Sequence, residues 1–264
     1  MGLKTKMNIY LYELKNNRKF AIMWAMITLV LTLMMIYFYP MIKEQADAFV
    51  DIMSKYPVAI QNAFGINTNF ATTPLGYYST FPYVILIICV TLEAMLLGLN
   101  VIYKETKDKT SDFLFTKPVT RAQIFLSKIL ASITLLMLNN IFVLLLIYLS
   151  LVSFASVDLY LFFLICLAII MLQMFFFIFG ALLATIIPKI KSTISLAMAV
   201  VLGFYTISTF GKESIRFFNP FQYIKANDII TNRNYEMPYF YLLIVLILLC
   251  TISAYNIYIK KDIK

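Results

Sequence analysis

The sequence predicts an all-α, polytopic membrane protein with six transmembrane helices, an N-terminal amphipathic interfacial helix and both termini in the cytoplasm. Hydrophobic residues make up 62% of the 264 residues and charged residues only 13%, whereas a soluble domain carries about a quarter charged residues. The apolar residues fall into six long runs, and lysine and arginine concentrate in alternate connections between them. These observations together indicate an integral membrane protein with one strongly basic side.

Each apolar run is long enough to cross a bilayer, which requires about 20 residues for about 30 Å of hydrocarbon. The predicted spans are about 20–39, 81–103, 124–152, 159–187, 193–210 and 239–259. The third and fourth spans are joined by only a few residues, which predicts an antiparallel hairpin. No repeat or low-complexity tract divides the chain, so we expect a single domain over residues 1–264.

The distribution of basic residues predicts the orientation. Most of the 22 lysine and arginine residues lie in the N-terminal segment, the second and fourth loops and the C-terminal tail. Short basic loops face the cytoplasm, which puts both termini on the cytoplasmic side. We expect a multi-pass protein of the cell membrane, of bacterial origin. Because the net charge of +9 is explained by contact with anionic lipid, we expect no nucleic acid partner.

Residues 1–19 have the spacing of an amphipathic helix. The apolar positions recur at i, i+3, i+4 and i+7, namely Met7, Tyr10, Leu11 and Leu14. Polar residues occupy other parts of the helical wheel, namely Asn8, Glu13, Lys15 and Arg18. The pattern favours a helix lying on the inner leaflet; the alternative is a polar tail with chance periodicity.

Two longer connections, 40–80 and 211–238, fall on the opposite side. The first is punctuated by turn residues, and the second contains the apolar sequence Phe217-Phe218-Asn219-Pro220-Phe221, too short to span the membrane. We expect short helices that lie at or dip into the outer leaflet, or an ordinary packed cap.

The residue types present argue against an enzyme. There is no histidine, the commonest general base and metal ligand, and the nucleotide-binding, metalloprotease and hydrolase motifs are absent. Cys89, Cys166 and Cys250 lie far apart inside apolar runs and are interpreted as packing residues. We therefore predict no catalytic, cofactor-binding or metal site in this chain.

A few polar side chains interrupt the spans: Glu93, Asn100, Asn139, Asn140 and Gln173. Glu93 stands out because an ionisable group at membrane depth is costly and faces a protein interior or a wet cavity. Two interpretations stay open for it, a structural bond to an Asn or Gln of a neighbouring helix, or a role in substrate passage or gating.

The second loop, residues 104–128, has a build that an ordinary loop would not need. The charge-rich stretch 104–109 leads to Thr110 or Ser111 as a helix cap, followed by the apolar cluster Phe113-Leu114-Phe115. Pro118 ends this short helix, and Thr120-Arg121-Ala122-Gln123 matches a capping box that starts the next helix. The apolar cluster, rimmed by charge, indicates a surface for another protein; the alternative is that it dips into the inner leaflet.

This loop resembles the signature of type-2 (ABC-2-like) permease subunits of ABC transporters. The matching positions are Glu105, Thr110, Pro118, Val119, Arg121 and Lys128. The whole-chain plan is similar too, including an aromatic-Asn-Pro sequence before the last span, here Phe218-Asn219-Pro220. One position departs from the pattern, since Lys109 stands where the family commonly has glycine.

The resemblance implies a permease that couples ATP hydrolysis by a separate cytoplasmic ABC ATPase to export. It implies a second permease subunit, identical or similar, and ATP with magnesium on the ATPase rather than on this chain. The residues implied to act in ATPase coupling are Glu105, Thr110, Phe113, Leu114, Pro118, Arg121 and Lys128. The expected substrate is amphipathic or small: a peptide, an antibiotic, a lipid-linked molecule or an ion. The rival hypotheses are a non-transporting anchor or sensor for a cytoplasmic partner, and a secondary transporter that uses Glu93.

Overall fold

The computed structural model describes residues 2–57, 60–61, 73–108, 120–210 and 213–260. Within these residues every secondary-structure element is a helix, and six helices are long and apolar enough to cross a membrane. They are α1 (Gly2–Tyr37), α5 (Phe81–Asp108), α6 (Arg121–Val152), α7 (Leu159–Ile186), α8 (Thr193–Phe210) and α10 (Met237–Lys260). The predicted all-α class and the six spans are thereby confirmed.

Short helices make up the connections on one side of the bundle. The first long connection contains α2 (Tyr39–Glu44), α3 (Ala46–Ser54) and α4 (Pro74–Tyr78). The second contains two 3₁₀ turns (Glu213–Phe218 and Pro220–Gln222) followed by α9 (Ala226–Asn232). Short helices are therefore present in both connections within the described residues, while their position at the outer leaflet stays a prediction.

The predicted interfacial helix and the first predicted span belong to one helix. Helix α1 is continuous over 36 residues, about 54 Å at 1.5 Å per residue, which exceeds the hydrocarbon thickness. From Leu3 to Tyr39 the sequence has neither glycine nor proline, so nothing in the backbone breaks the helix where the polar segment meets the apolar one. The N-terminal half of α1 contacts α6, where the Tyr10 hydroxyl donates to Thr134 Oγ1 at 3.0 Å. Its position on the inner leaflet stays a prediction.

Helices α5 and α7 form the centre of the bundle. In their most apolar stretches, 72% of the residues of α5 and 67% of those of α7 are buried, against 11% for α8 and 17% for α10. The two central helices cross where Gly98 faces Gly180: an added Cβ on Gly98 would lie 2.1 Å from the Phe177 carbonyl oxygen. This contact places two helix backbones against each other, as small residues do between membrane helices.

Different elements meet at the two ends of the bundle. The terminal face is the end where the N-terminal half of α1, the end of α5, the start of α6 and the end of α10 meet. The loop face is the opposite end, which carries α2, α3, α4, the 3₁₀ turns and α9. The polar residues singled out from the sequence divide between the terminal face and the interior of the bundle.

Candidate functional site: the terminal face and the intramembrane polar residues

Helix α6 begins with the predicted capping box. Thr120 has an extended backbone, its Oγ1 accepts from the Gln123 amide at 3.3 Å, and the Gln123 side chain accepts from the Thr120 amide at 3.4 Å. The two residues satisfy amide donors that have no partner inside the helix. The predicted helix start at Thr120 is therefore confirmed, and it sets the starting point of the third span.

Arg121, the first residue of α6, reaches the end of α10. Its Nη1 donates to the carbonyl oxygen of Ile259 at 3.3 Å, one of the last carbonyls of that helix, which have no intrahelical donor. A cation at this end also complements the helix dipole. One turn on, the Phe125 ring is buried with its centroid 5.2 Å from that of Tyr258. The start of α6 is thereby packed and hydrogen-bonded to the end of α10.

Lys128 lies two turns into α6 and is buried, with 3% of its surface exposed. Its Nζ donates to the Val101 carbonyl oxygen of α5 at 2.8 Å and lies 3.6 Å from Oε1 of Glu13 in α1. Glu13 is itself 6% exposed, and its Oε2 accepts from Asn17 Nδ2 at 3.2 Å. A single ammonium group thus joins three helices at the terminal face.

The burial of Glu13 differs from the sequence prediction, which placed this residue on the polar part of the helical wheel. The physical reason is Lys128, because a cation two turns inside a span needs an anionic or carbonyl partner. That requirement was the one signal in the sequence that could have pointed to Glu13. The spacing of apolar residues alone could not have indicated a buried Glu13, since that pattern treats every carboxylate as facing solvent.

Several predicted coupling residues lie outside what the structure describes. Glu105 belongs to α5, but its side chain is not among the described ones, and Thr110, Phe113, Leu114 and Pro118 fall in the segment 109–119, outside the described residues. Their assignment to an ATPase-facing helix stays a prediction. Of the seven residues, the structure positions the side chains of Arg121 and Lys128.

A cleft of about 570 Å³ opens on the terminal face beside the Glu13–Lys128 pair. Its walls come from α1, the end of α5 and the connection between α7 and α8, with Glu13, Asn17, Asn100, Lys104 and Lys191 among the polar lining residues. The Tyr103 hydroxyl accepts from the Ile190 amide at 3.0 Å, which fixes that connection against α5. Asn100, which the sequence predicts to be an intramembrane polar residue, lies half-buried at this cleft.

Glu93 lies deep inside the bundle and is bonded to a neighbouring helix. It is 2% exposed, and its Oε1 accepts from Asn139 Nδ2 of α6 at 2.6 Å. The same Asn139 amide donates to the Ala21 carbonyl oxygen of α1 at 2.9 Å. These three residues join α1, α5 and α6 through one amide group, an arrangement that matches the structural interpretation of Glu93.

Asn140, the next residue of α6, points to a different helix. Its Nδ2 donates to Gln173 Oε1 of α7 at 2.6 Å, and both side chains are buried. The Gln173 Nε2 is buried and has no hydrogen-bond partner among the described residues. Consecutive asparagines therefore connect α6 to α1 and α5 on one side and to α7 on the other.

The Phe218-Asn219-Pro220 sequence lies at the loop face and is hydrogen-bonded to α8. Asn219 is 1% exposed; its Nδ2 donates to the Phe204 carbonyl oxygen of α8 at 2.7 Å, and its Oδ1 accepts from the Phe221 amide at 3.1 Å. Gln222 Nε2 donates to the Ser208 carbonyl oxygen at 2.8 Å. The asparagine and glutamine amides thus hold the 3₁₀ turns on the last turns of α8.

Two ion pairs lie at the loop face. Asp158 caps that helix and accepts from Arg233 Nη2 at 2.7 Å. Hydrogen bonds from the Leu161 amide and from Arg233 hold the pKa of the Asp158 carboxyl below its usual value. Arg216 pairs with Glu236 at 2.8 Å and lies 4.0 Å from the centroid of the Tyr239 ring. These contacts connect the second long connection to α7 and α10.

The fold and these sites together define a multi-pass membrane protein whose polar groups join helices. No group of three or more His, Cys, Asp or Glu side chains that could hold a metal ion occurs among the residues described. The three cysteines are free thiols.

Comparison with known families identifies the chain further. The family model described as ABC-2 family transporter protein matches residues 7–263, nearly the whole sequence, and the chain belongs to that family. Its members are membrane components of ABC transporters and generally work with a cytoplasmic ABC ATPase. No curated protein matches the chain.

Proposed function

We propose that this chain is the permease subunit of an ATP-driven exporter in a bacterial cell membrane. It pairs with a second permease subunit and receives a cytoplasmic ABC ATPase on its terminal face. ATP and magnesium bind to the ATPase, and this chain supplies the path through the membrane and the surface that receives the ATPase motion. The exported substrate is amphipathic or small.

The observation that carries this proposal is the anchoring of the start of α6. Arg121 bonds to α10, and Lys128 bonds to α5 and lies beside Glu13 of α1, so this segment contacts three other membrane helices within two turns. It directly follows residues 104–119, where the family resemblance puts the ATPase contact. Since packed helices move as rigid bodies, displacement of the loop would be passed to all four helices.

Glu93 supports an ATP-driven rather than a proton-driven mechanism. Its carboxyl group is bonded to Asn139, and only 2% of the residue's surface is exposed. A proton carrier would need access to water from each side in turn. We therefore assign Glu93 to the structural core of the permease.

The direct test is purification of the chain from its native membrane, identification of any ABC ATPase that copurifies with it, and reconstitution of the complex in liposomes. We expect a stable complex whose ATP hydrolysis is stimulated by amphipathic candidates and which transports one of them only when ATP is present. Failure to retain any ATPase would favour the anchor hypothesis. Transport that continues without ATP and stops when the proton gradient is dissipated would favour a secondary transporter.

The coupling surface has its own test in the same complex. Phe113→Asp and Arg121→Glu are expected to leave assembly intact while reducing the substrate transported per ATP, because one alters the ATPase-facing cluster and the other the anchor of α6. Lys55→Glu is the matched charge-reversal control, since Lys55 is exposed and belongs to the connection on the loop face. Normal transport by both coupling variants would contradict the assignment of residues 104–121 to coupling.

A further inference from the structure

Glu13 is a buried carboxylate that the family resemblance does not assign. Its partner Lys128 is equally buried, at 3% against 6% exposed, and the two groups lie 3.6 Å apart. An apolar pair of similar volume would stabilise such a position as well or better, because removing two charges from water offsets their attraction. Stability alone therefore does not account for a carboxylate and an ammonium group at this place.

The position of the pair is more informative than its energy. Lys128 lies seven residues after Arg121, the residue at which the third span starts, and its Nζ also holds the Val101 carbonyl oxygen of α5 at 2.8 Å. Glu13 and Val101 both line the cleft of the terminal face. One ammonium group thus connects two walls of the cleft to the start of α6.

We propose that Glu13 is a positioning residue for ATPase coupling. Acting through Lys128, it fixes the N-terminal half of α1 to the start of α6, so that the cleft wall moves together with residues 104–121 when the ATPase displaces them. The proposal rests on the proposed function, because it names the residue that carries motion from that site to the first span.

The connection itself can be tested on the purified permease without any ATPase. Glu13→Gln leaves the Lys128 ammonium with an uncharged neighbour in place of a carboxylate, so we expect amide hydrogen exchange in residues 9–20 to become about tenfold faster or more. Ser132→Ala is the matched control: Ser132 is a buried polar residue one turn further along α6 whose hydroxyl bonds only within its own helix, to the Lys128 carbonyl at 3.0 Å. Exchange in Glu13→Gln equal to that of the wild type would overturn the proposal.

Coupling is then measured in the ATPase complex with Glu13→Gln, Lys128→Met and the double variant. If Glu13 acts through Lys128, the double variant has the same coupling defect as Lys128→Met alone, while its thermal stability recovers because no buried charge is left unpaired. Coupling that returns together with stability would make the pair purely structural and overturn the proposal. Defects that multiply would show that Glu13 acts independently of Lys128 and would also overturn it.

The two experiments separate this inference from the proposed function. If no ABC ATPase associates with the wild-type chain, the proposed function fails and the coupling role of Glu13 fails with it. The exchange measurement still decides whether Glu13 fixes α1 to α6. If the wild-type complex couples normally and Glu13→Gln couples equally well, the proposed function stands and this inference fails.

Discussion

At the scale of single residues, polar groups inside this protein join helices to one another. Asn139 donates to Glu93 and to the Ala21 carbonyl, Asn140 donates to Gln173, and Lys128 donates to Val101. Each bond crosses from α6 to another helix, so α6 is the common member. In hydrocarbon an unsatisfied polar group is expensive, and these pairings therefore restrict which helices can be neighbours as well as holding them together.

The Glu93–Asn139 contact allows its two interpretations to be separated. Glu93→Gln keeps an oxygen acceptor for Asn139 and should leave the thermal stability close to that of the wild type, with transport retained. Asn139→Leu removes the donor from both Glu93 and the Ala21 carbonyl, and should destabilise the protein by about 1–3 kcal/mol. Thermal unfolding in detergent and transport in liposomes measure the two effects. A Glu93→Gln variant that folds normally but does not transport would instead favour a role in substrate passage.

At the scale of elements, the crossing of α5 and α7 depends on two glycines. A Cβ on Gly98 would lie 2.1 Å from the Phe177 carbonyl oxygen and 2.9 Å from the Ala181 amide nitrogen, and one on Gly180 would lie 2.5 Å from the Met95 carbonyl oxygen. These neighbours are backbone atoms that cannot rotate away, so an alanine at either position must push the helices apart.

We therefore expect Gly98→Ala and Gly180→Ala each to destabilise the bundle by about 1–3 kcal/mol, the usual cost of overpacking. Gly203→Ala in α8 is the matched control, because an added Cβ there meets nothing within 4 Å. Its expected effect is neutral or a gain of up to about 1 kcal/mol from helix propensity. Thermal unfolding of the three variants in one detergent makes the comparison. Equal stability of all three would mean that α5 and α7 do not pack as closely as described.

Much of the element-level structure follows from the sequence, because local rules determine it. Apolar runs set the six spans, and the span 193–210 coincides with α8 (Thr193–Phe210). Thr120 and Gln123 are close enough in sequence for their capping box to be recognised directly. The contacts that the sequence did not reveal join residues far apart in the chain: Glu13 with Lys128, and Gly98 with Gly180. A single sequence does not indicate which helix packs against which, so these pairs are seen only in the folded chain.

Helix α1 also differs from what the composition of the sequence predicts. A change from polar to apolar residues near Phe20 predicts two elements, but the backbone there has no glycine or proline to end a helix. Contacts of Tyr10 and Glu13 with α6 add tertiary stabilisation that a hydropathy profile does not include. The helix therefore stays unbroken through the change in composition.

At the scale of the whole molecule, the charge distribution makes a prediction about orientation. Exposed basic residues such as Lys15 and Lys191 lie at the terminal face, whereas Lys225 directly precedes α9 at the loop face. The positive-inside bias then puts the terminal face in the cytoplasm, where an ATPase could reach it. This orientation is required by the proposed function and can be measured without any knowledge of the substrate.

Single cysteines at Lys15 and at Lys225, each introduced after replacement of the three native cysteines, provide the test with a membrane-impermeant maleimide. We expect Lys225→Cys to react in intact cells and Lys15→Cys to react only after the cells are made permeable, because both side chains are exposed and only the membrane separates them. The reverse pattern would put the terminal face outside and exclude a cytoplasmic ATPase on it. Reaction of both cysteines in intact cells would place α1 and α9 on the same side and contradict a bundle in which five spans separate them.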